Sequence, residues 1–284
     1  MILQLQIPAS LNLRRTLGKA FYVSASDTVA EDAGIRFRKK VMYLESLNID
    51  TSKALHLNPN LRSAPLSTLQ SVTRCLYSMG LDLSSIGRIL DMHPKLLTVD
   101  PYSDIYPVLD FLLNTVELPF PEVSKSIQRC PRLLVTDVDA QLRPTFEFLS
   151  DLGFVGSNRL NSQTSLLLVS SIESTLMRKI DFFVGIGIDY DDVRNMVLRS
   201  PGLLTFSIEN NLRPKVEYFL NEMKGDLGEI KSFPQYFSFS LERKIRPRHR
   251  LLMDYGFSLS LSEMLKASYG DFIRRLAGKH GNPS

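Results

Sequence analysis

Residues 130–149 read CPRLLVTDVDAQLRPTFEFL, and residues 200–220 read SPGLLTFSIENNLRPKVEYFL. Laid on one another, both keep a proline followed by paired leucines, and both place a Leu-Arg-Pro step 13 residues further on. The first anchor returns as Pro94-Lys95-Leu96-Leu97, with weaker copies at Pro59-Asn60-Leu61 and Pro234-Gln235-Tyr236-Phe237 and a proline-free copy at Thr164-Ser165-Leu166-Leu167. Successive steps from residue 59 are 35, 37, 33, 37 and 33. The second anchor recurs at Pro107, Pro144, Pro214 and Pro247, with Ser71 and Arg178 in its place in the two degenerate copies. Two anchors that keep a 13-residue offset in four copies, and come within one residue of it in the two degenerate ones, define a tandem repeat of about 35 residues.

Each unit predicts two helices and a short turn. The second-anchor proline suits the beginning of a first helix, where a missing N–H costs little. Aromatic and aliphatic residues follow at helical spacing, as in Phe146, Phe148 and Leu149. Gly80, Gly153, Gly187 and Gly256 supply stops. Superposing Gly80-Leu81-Asp82-Leu83-Ser84 on Gly187-Ile188-Asp189-Tyr190-Asp191 predicts Ser84 and Asp191 as N-caps of second helices. These end before the first-anchor proline, which disfavours helix in the residue preceding it, and the Leu-Leu pair forms a 3-10 turn. No unit buries its apolar face alone, so the units must stack. The fold class expected is all-α, a right-handed or superhelical α-solenoid of six to seven two-helix repeats. The chain then divides into a leader at 1–30, a capping partial repeat at 31–62, tandem repeats at 63–276 and a disordered tail at 277–284.

Composition is that of a folded chain: hydrophobic residues make 44% and charged residues 23% of 284. No run of 18 apolar residues occurs, so no membrane span is expected. Cys75 and Cys130 lack metal-ligand spacing and read as buried thiols of a reducing compartment. Positions 1–26 carry Arg14, Arg15, Lys19 and several serines and no acid, the composition of an organelle transit peptide. The prominence of serine favours a chloroplast over a mitochondrion. Without residues 1–30 the chain holds 31 basic and 29 acidic residues, nearly neutral.

Catalytic signatures are missing from the sequence. No phosphate loop and no zinc helix motif is found; Gly185-Ile186-Gly187 lacks the third glycine of a dinucleotide fingerprint. Asp189, Asp191 and Asp192 align with linker and cap residues of another copy, and four scattered histidines share no ligand spacing. The expectation is a binding protein without enzyme activity, cofactor or metal. Its candidate site is a row of cations. Arg143, Arg213 and Arg246 each precede a second-anchor proline, and Arg178 replaces that proline in a fourth unit. At the starts of successive helices they would meet an anion drawn to free backbone N–H groups. Arg243, Lys244, Arg248 and Arg250 add to the row, since residues 241–280 hold nine basic residues against four acids. The stretch 99–126 holds five acids against Lys125 alone, so charge is polarised along the chain.

The P-x-L-L step, the L-R-P step and the glycine stop together resemble the mitochondrial transcription termination factor (mTERF) family, above all its plant organellar members. The matching stretches are 130–134, 142–144, 200–204 and 212–214, and the likeness spans roughly 36–276. It implies a helical solenoid whose basic groove holds double-stranded DNA or RNA in an organelle. It also implies a role in transcription termination or transcript maturation, alongside organellar transcription or splicing proteins. A monomer with no membrane partner is expected. The competing expectation is a helical scaffold that binds proteins, since solenoid surfaces also hold peptides.

Overall fold

A computed structural model describes residues 33–280, with the side chains of 277–280 excepted. The leader expected at 1–30 lies outside the described residues. Among them there is no strand, and the helices follow one another as a solenoid of repeating triplets, each a first helix, a second helix and a 3-10 turn. The opening triplet is α1 (Ala33–Ser46), α2 (Thr51–Leu57) and the turn Pro59–Arg62. Next come α3 (Leu66–Ser78), α4 (Leu83–Met92) and the turn Pro94–Thr98. The third contains α5 (Tyr106–Asp110), α6 (Phe120–Arg129) and the turn Pro131–Val135.

The fourth triplet lacks a second helix. After α7 (Arg143–Asp151) the chain makes only a short turn at Gly156–Asn158 before the 3-10 turn Ser165–Val169. The intervening GSNRLNSQT is rich in turn formers and has no helical apolar period. Leu160 is its buried plug, and Glu122 of α6 accepts the Ser162 backbone N–H at 3.1 Å to pin the loop to the preceding unit. The fifth triplet restores the pattern with α8 (Arg178–Gly185), α9 (Tyr190–Arg199) and Pro201–Leu204. The sixth has α10 (Arg213–Glu217), α11 (Leu227–Ser232) and Pro234–Ser238. The last pairs α12 (Arg246–Asp254) with α13 (Leu261–Lys266), and α14 (Tyr269–His280) closes the end. Because α14 runs to His280, the disordered tail expected from 277 is helical over its first four residues; 281–284 lie outside the described residues.

The paired leucines are the core. Leu96, Leu97, Leu133, Leu134, Leu167, Leu168, Leu203 and Leu204 are all buried, joined by Tyr236 and Phe237 in the sixth unit. The fourth unit's pair is thus Leu167-Leu168, one residue later than the sequence alignment places it. Glycine stops at 80, 153, 187 and 256 adopt positive φ, between 63° and 108°. Where a unit has no glycine, Asn48, Glu117 and Lys224 take the same left-handed conformation at φ 51–58°.

Two boundaries differ from expectation. The caps of α4 and α9 are Asp82 and Asp189, two residues before Ser84 and Asp191; the Asp82 carboxylate accepts the Ser85 N–H at 2.7 Å. The first helices begin at the proline step as expected, but a widened turn extends each of them back to a polar cap. Their caps are Asp100, Asp137, Ser171, Ser207 and Ser240, each seven residues before the second-anchor position. Between cap and proline the backbone runs in wide turns at Val138–Leu142, Ile208–Leu212 and Leu241–Ile245. Hydrogen bonds there reach back five residues, as from Leu142 N to Asp137 O. The fifth unit makes the same wide turn at Ile172–Met177 ahead of Arg178, so the register belongs to the repeat and not to the proline alone.

The residue after the second anchor closes each later unit onto its own 3-10 turn. Lys179 donates to Leu204 O, and Lys215 donates to Phe237 O at 2.6 Å. In the opening triplet Lys40 does the same, reaching the carbonyls of Leu61, Arg62 and Ala64. A buried cation here meets carbonyls that a turn leaves unpaired at its C-terminal end, where the local dipole is negative.

Candidate nucleic-acid interface

The expected cations fall into three environments, set by helical phase. Arg143, Arg213 and Arg246 do hold the same position on the first helices of the fourth, sixth and last units. They sit six residues past their caps, however, beyond the free N–H groups of the first turn. The anion site at helix starts is therefore not built.

Each of these three arginines has two partners. One is an acid a turn earlier on the same helix: Arg143 Nε to Asp139 at 3.1 Å, Arg213 Nε to Glu209 at 3.0 Å, and Arg246 to Glu242 at 3.3 Å. The other is an aromatic ring of the preceding first helix or of the turn that continues it. Arg143 lies 5.6 Å from the centroid of Phe111, Arg213 lies 5.5 Å from Phe182, and Arg246 lies 5.0 Å from Tyr218. The row is thus also a line of cation–π joints between repeats. The remaining expected member of this row is different. Arg178 is exposed in place of a proline, close enough to Glu209 to help hold that carboxyl below its usual range after Arg213, the larger cause.

Acids flank the row on its other side as well. One turn after the arginine position stand Asp110, Glu147, Asp181 and Glu217, all exposed. In the fourth to sixth units the outward face therefore alternates acid, arginine or methionine, acid, and carries no net positive charge. The last first helix breaks the alternation. Arg250 stands where its predecessors have acids, and Arg243 and Lys244 occupy its opening turn. Arg243 and Arg250 are exposed; Lys244 is half-buried, 4.5 Å from the Phe239 ring, and burial holds its ammonium below the ordinary value. Positive field concentrates at this end of the solenoid.

Arg248 does not belong to the interface. It is 5% exposed, donates to Met264 O and to Ala267 O (2.9 Å), and lies 4.8 Å from the Phe272 ring. It occupies the column of Lys179 and Lys215 and closes the last unit as they close theirs. It lies two positions from Arg246 and from Arg250, about 200° around a helix, which turns it to the core. The signal was present in the repeat: Thr145, Lys179 and Lys215 are buried polar residues in the same column. Arg199 is likewise engaged, donating to Lys231 O and Ser232 O at the end of α11.

A feature the sequence reading missed lies between α12 and the turn Tyr218–Glu222 that continues α10. Tyr218, Glu222, Arg246, His249, Arg250 and Asp254 border a cavity of about 360 Å³. The Tyr218 hydroxyl is 2.9 Å from His249 Nδ1, and the Arg246 Nε is buried with no acceptor. No group of His, Cys, Asp or Glu among the described residues is placed to hold a metal ion, and no described helix is long and apolar enough to cross a membrane. Cys75 is buried, which pushes its thiol up to about 11, and Cys130 is half-buried.

The mTERF family model matches residues 9–154 and 113–273. Among curated proteins, the chain is 34% identical over 109 residues to transcription termination factor MTERF4, chloroplastic, of Arabidopsis thaliana, covering 38% of this chain and 20% of that one. Longer matches are MTERF8, chloroplastic, at 24% identity over 69% of this chain and 46% of the relative, and MTERF15, mitochondrial, at 22% over 84% and 54%, both from the same plant. The chain thus spans between a fifth and about half the length of these relatives. With both family matches laid along a solenoid of Pro-x-Leu-Leu turns and Leu-Arg-Pro helices, the chain belongs to the mTERF family.

Proposed function

We propose that this protein is a nucleic-acid-binding regulator of organelle gene expression, acting in transcription termination or in transcript maturation. The observation that carries the reading is the last first helix, where Arg243, Lys244, Arg246 and Arg250 outnumber the acids Glu242 and Asp254. Phosphates engage that end first, and Arg143, Arg178 and Arg213 extend the track once the strand displaces their acids. Exposed ion pairs give way easily, since each is worth little in water. The relatives' names, transcription termination factors of chloroplasts and mitochondria, support the same role. A chloroplast is the proposed compartment, with a mitochondrion the alternative, and the partner is double-stranded DNA or RNA bound by a monomer.

Anisotropy of labelled duplex DNA and single-stranded RNA over a salt series tests this. Replacing Arg243, Lys244 and Arg250 together by Gln should weaken binding similarly for all sequences. It should also flatten the log–log salt slope by about one unit for each phosphate no longer neutralised. Arg143→Gln, which removes a charge already paired, should have a smaller effect. Salt-insensitive binding would overturn the reading.

A second reading rests on Leu83, Phe120 and Tyr190. These residues begin successive second helices, and each is between 43% and 51% exposed. Such a line of apolar side chains suits contact with organellar transcription or splicing proteins.

A further inference from the structure

The cavity between α12 and the turn Tyr218–Glu222 is lined by chemistry that stacking does not require. Counting from the second anchor, His249 stands in the column of Leu109, Phe146, Ile180 and Val216. Arg250 stands in the column of Asp110, Glu147, Asp181 and Glu217. A repeat array keeps what neighbours need in order to pack, so a unit that replaces an apolar residue and an acid by two nitrogen bases is built for something else.

Three nitrogen-bearing side chains line it. Arg246 differs from its sister arginines: their Nε atoms donate to an acid, whereas its own is buried without an acceptor and only its Nη1 reaches Glu242, at 3.3 Å or more. A buried donor left unpaired is costly, and a native structure with one calls for a missing acceptor. Arg250 is the second donor. His249 is the third. Burial lowers the pKa of its imidazole and raises that of Tyr218, whose hydroxyl lies 2.9 Å from Nδ1. In the tautomer that can bind an anion, the hydroxyl donates to Nδ1 and the ring hydrogen sits on Nε2. The Tyr218 ring, 5.7 Å from the His249 ring and edge-on to it, fixes the imidazole from below. Glu222 and Asp254 complete the border, and they exclude a bare anion unless it also brings hydroxyl or amino donors.

We propose that this cavity binds a phosphomonoester-bearing nucleotide, either a free nucleoside monophosphate or the phosphorylated end of a nucleic-acid strand. A terminal phosphate presents three free oxygens to Arg246, Arg250 and the His249 Nε2–H, whereas an internal phosphodiester presents two. The ribose hydroxyls or base amino group satisfy Glu222 and Asp254. The cavity volume falls within the range of sites for small ligands. In its strand-end form the inference rests on the nucleic-acid reading above; in its mononucleotide form it does not.

The experiment titrates the full chain with AMP and with one short single-stranded RNA sequence carrying a 5′-phosphate, a 3′-phosphate or hydroxyls at both ends. One phosphorylated end should bind about tenfold tighter than the hydroxyl form, the scale of one charged contact, and AMP should abolish that difference. His249→Phe installs the ring that Phe146 supplies in the same column. It should erase the preference and leave hydroxyl-RNA affinity within about twofold, with circular dichroism unchanged. AMP binding with no RNA binding would keep the site for free nucleotides and overturn the nucleic-acid reading. Equal affinity for all RNA ends with no AMP binding would overturn the site and leave the groove intact. No binding of any probe would overturn both.

Discussion

Arg143 holds its guanidinium 5.6 Å from the centre of the Phe111 ring, one repeat earlier, while its Nε donates to Asp139 on its own helix. An arginine that sequence reasoning assigns to a phosphate is thus, in the free protein, a joint between units. A double-mutant cycle of Arg143→Met and Phe111→Leu in urea unfolding should return a coupling of about 0.5–1 kcal/mol, the value of a half-exposed cation–π contact. A coupling indistinguishable from zero would return Arg143 to the solvent.

The Leu-Leu turns are where the units meet the core. Leu133 is fully buried, and Leu133→Ala should cost about 2–5 kcal/mol through lost transfer energy and the cavity left behind. Because stability in an array is passed between neighbours, protection of amide hydrogens should fall in the flanking units as well. A loss below about half a kcal/mol would misplace the core face.

Glu117 and Lys224 take the place of a glycine at positive φ. A side chain in that region costs about 1–2 kcal/mol, and the entropy of a glycine returns about 0.5–1 of it. Glu117→Gly should therefore raise the urea midpoint, and Gly187→Ala should lower it. The two shifts having the same sign would contradict the assignment.

Glu122 is held down to about 2 by its hydrogen bonds from Ser162 and then from Lys125. A carboxylate depressed in the folded state contributes stability that is complete above its unfolded pKa of about 4.3 and is lost as pH falls toward 2. The wild-type protein should lose stability across that window more steeply than Glu122→Gln. Parallel pH profiles would show that the loop at 160–164 is not anchored by this group.

Lys215 titrates the other way. Burial lowers its ammonium to about 8, against about 10.4 when unfolded. Between those values the unfolded chain binds the extra proton, so this group's contribution to stability rises with pH. Lys215→Met should remove that upward slope between pH 8 and about 10, read as urea midpoints at each pH. An unchanged slope would place the titration elsewhere.

The repeat, its period and its buried leucine pairs were legible in the sequence, because a stack of similar units must present the same apolar residues at the same intervals. The glycine stops were legible for a similar reason: positive φ is cheap only for glycine. The α-helices do begin at the proline step, as Arg143–Asp151, Arg213–Glu217 and Arg246–Asp254 show; what the sequence did not show is the widened turn that joins each of them to a polar cap, Asp137, Ser207 or Ser240. What only the tertiary structure decided is the fate of each cation. Arg246, Arg248 and Arg250 are alike as letters. Helical phase turns Arg248 onto the Met264 and Ala267 carbonyls, lays Arg246 against Tyr218, and leaves Arg250 exposed at the edge of the cavity. Charge is a property of the residue, but whether it meets a carbonyl, a ring or a ligand depends on what the neighbouring repeat places beside it.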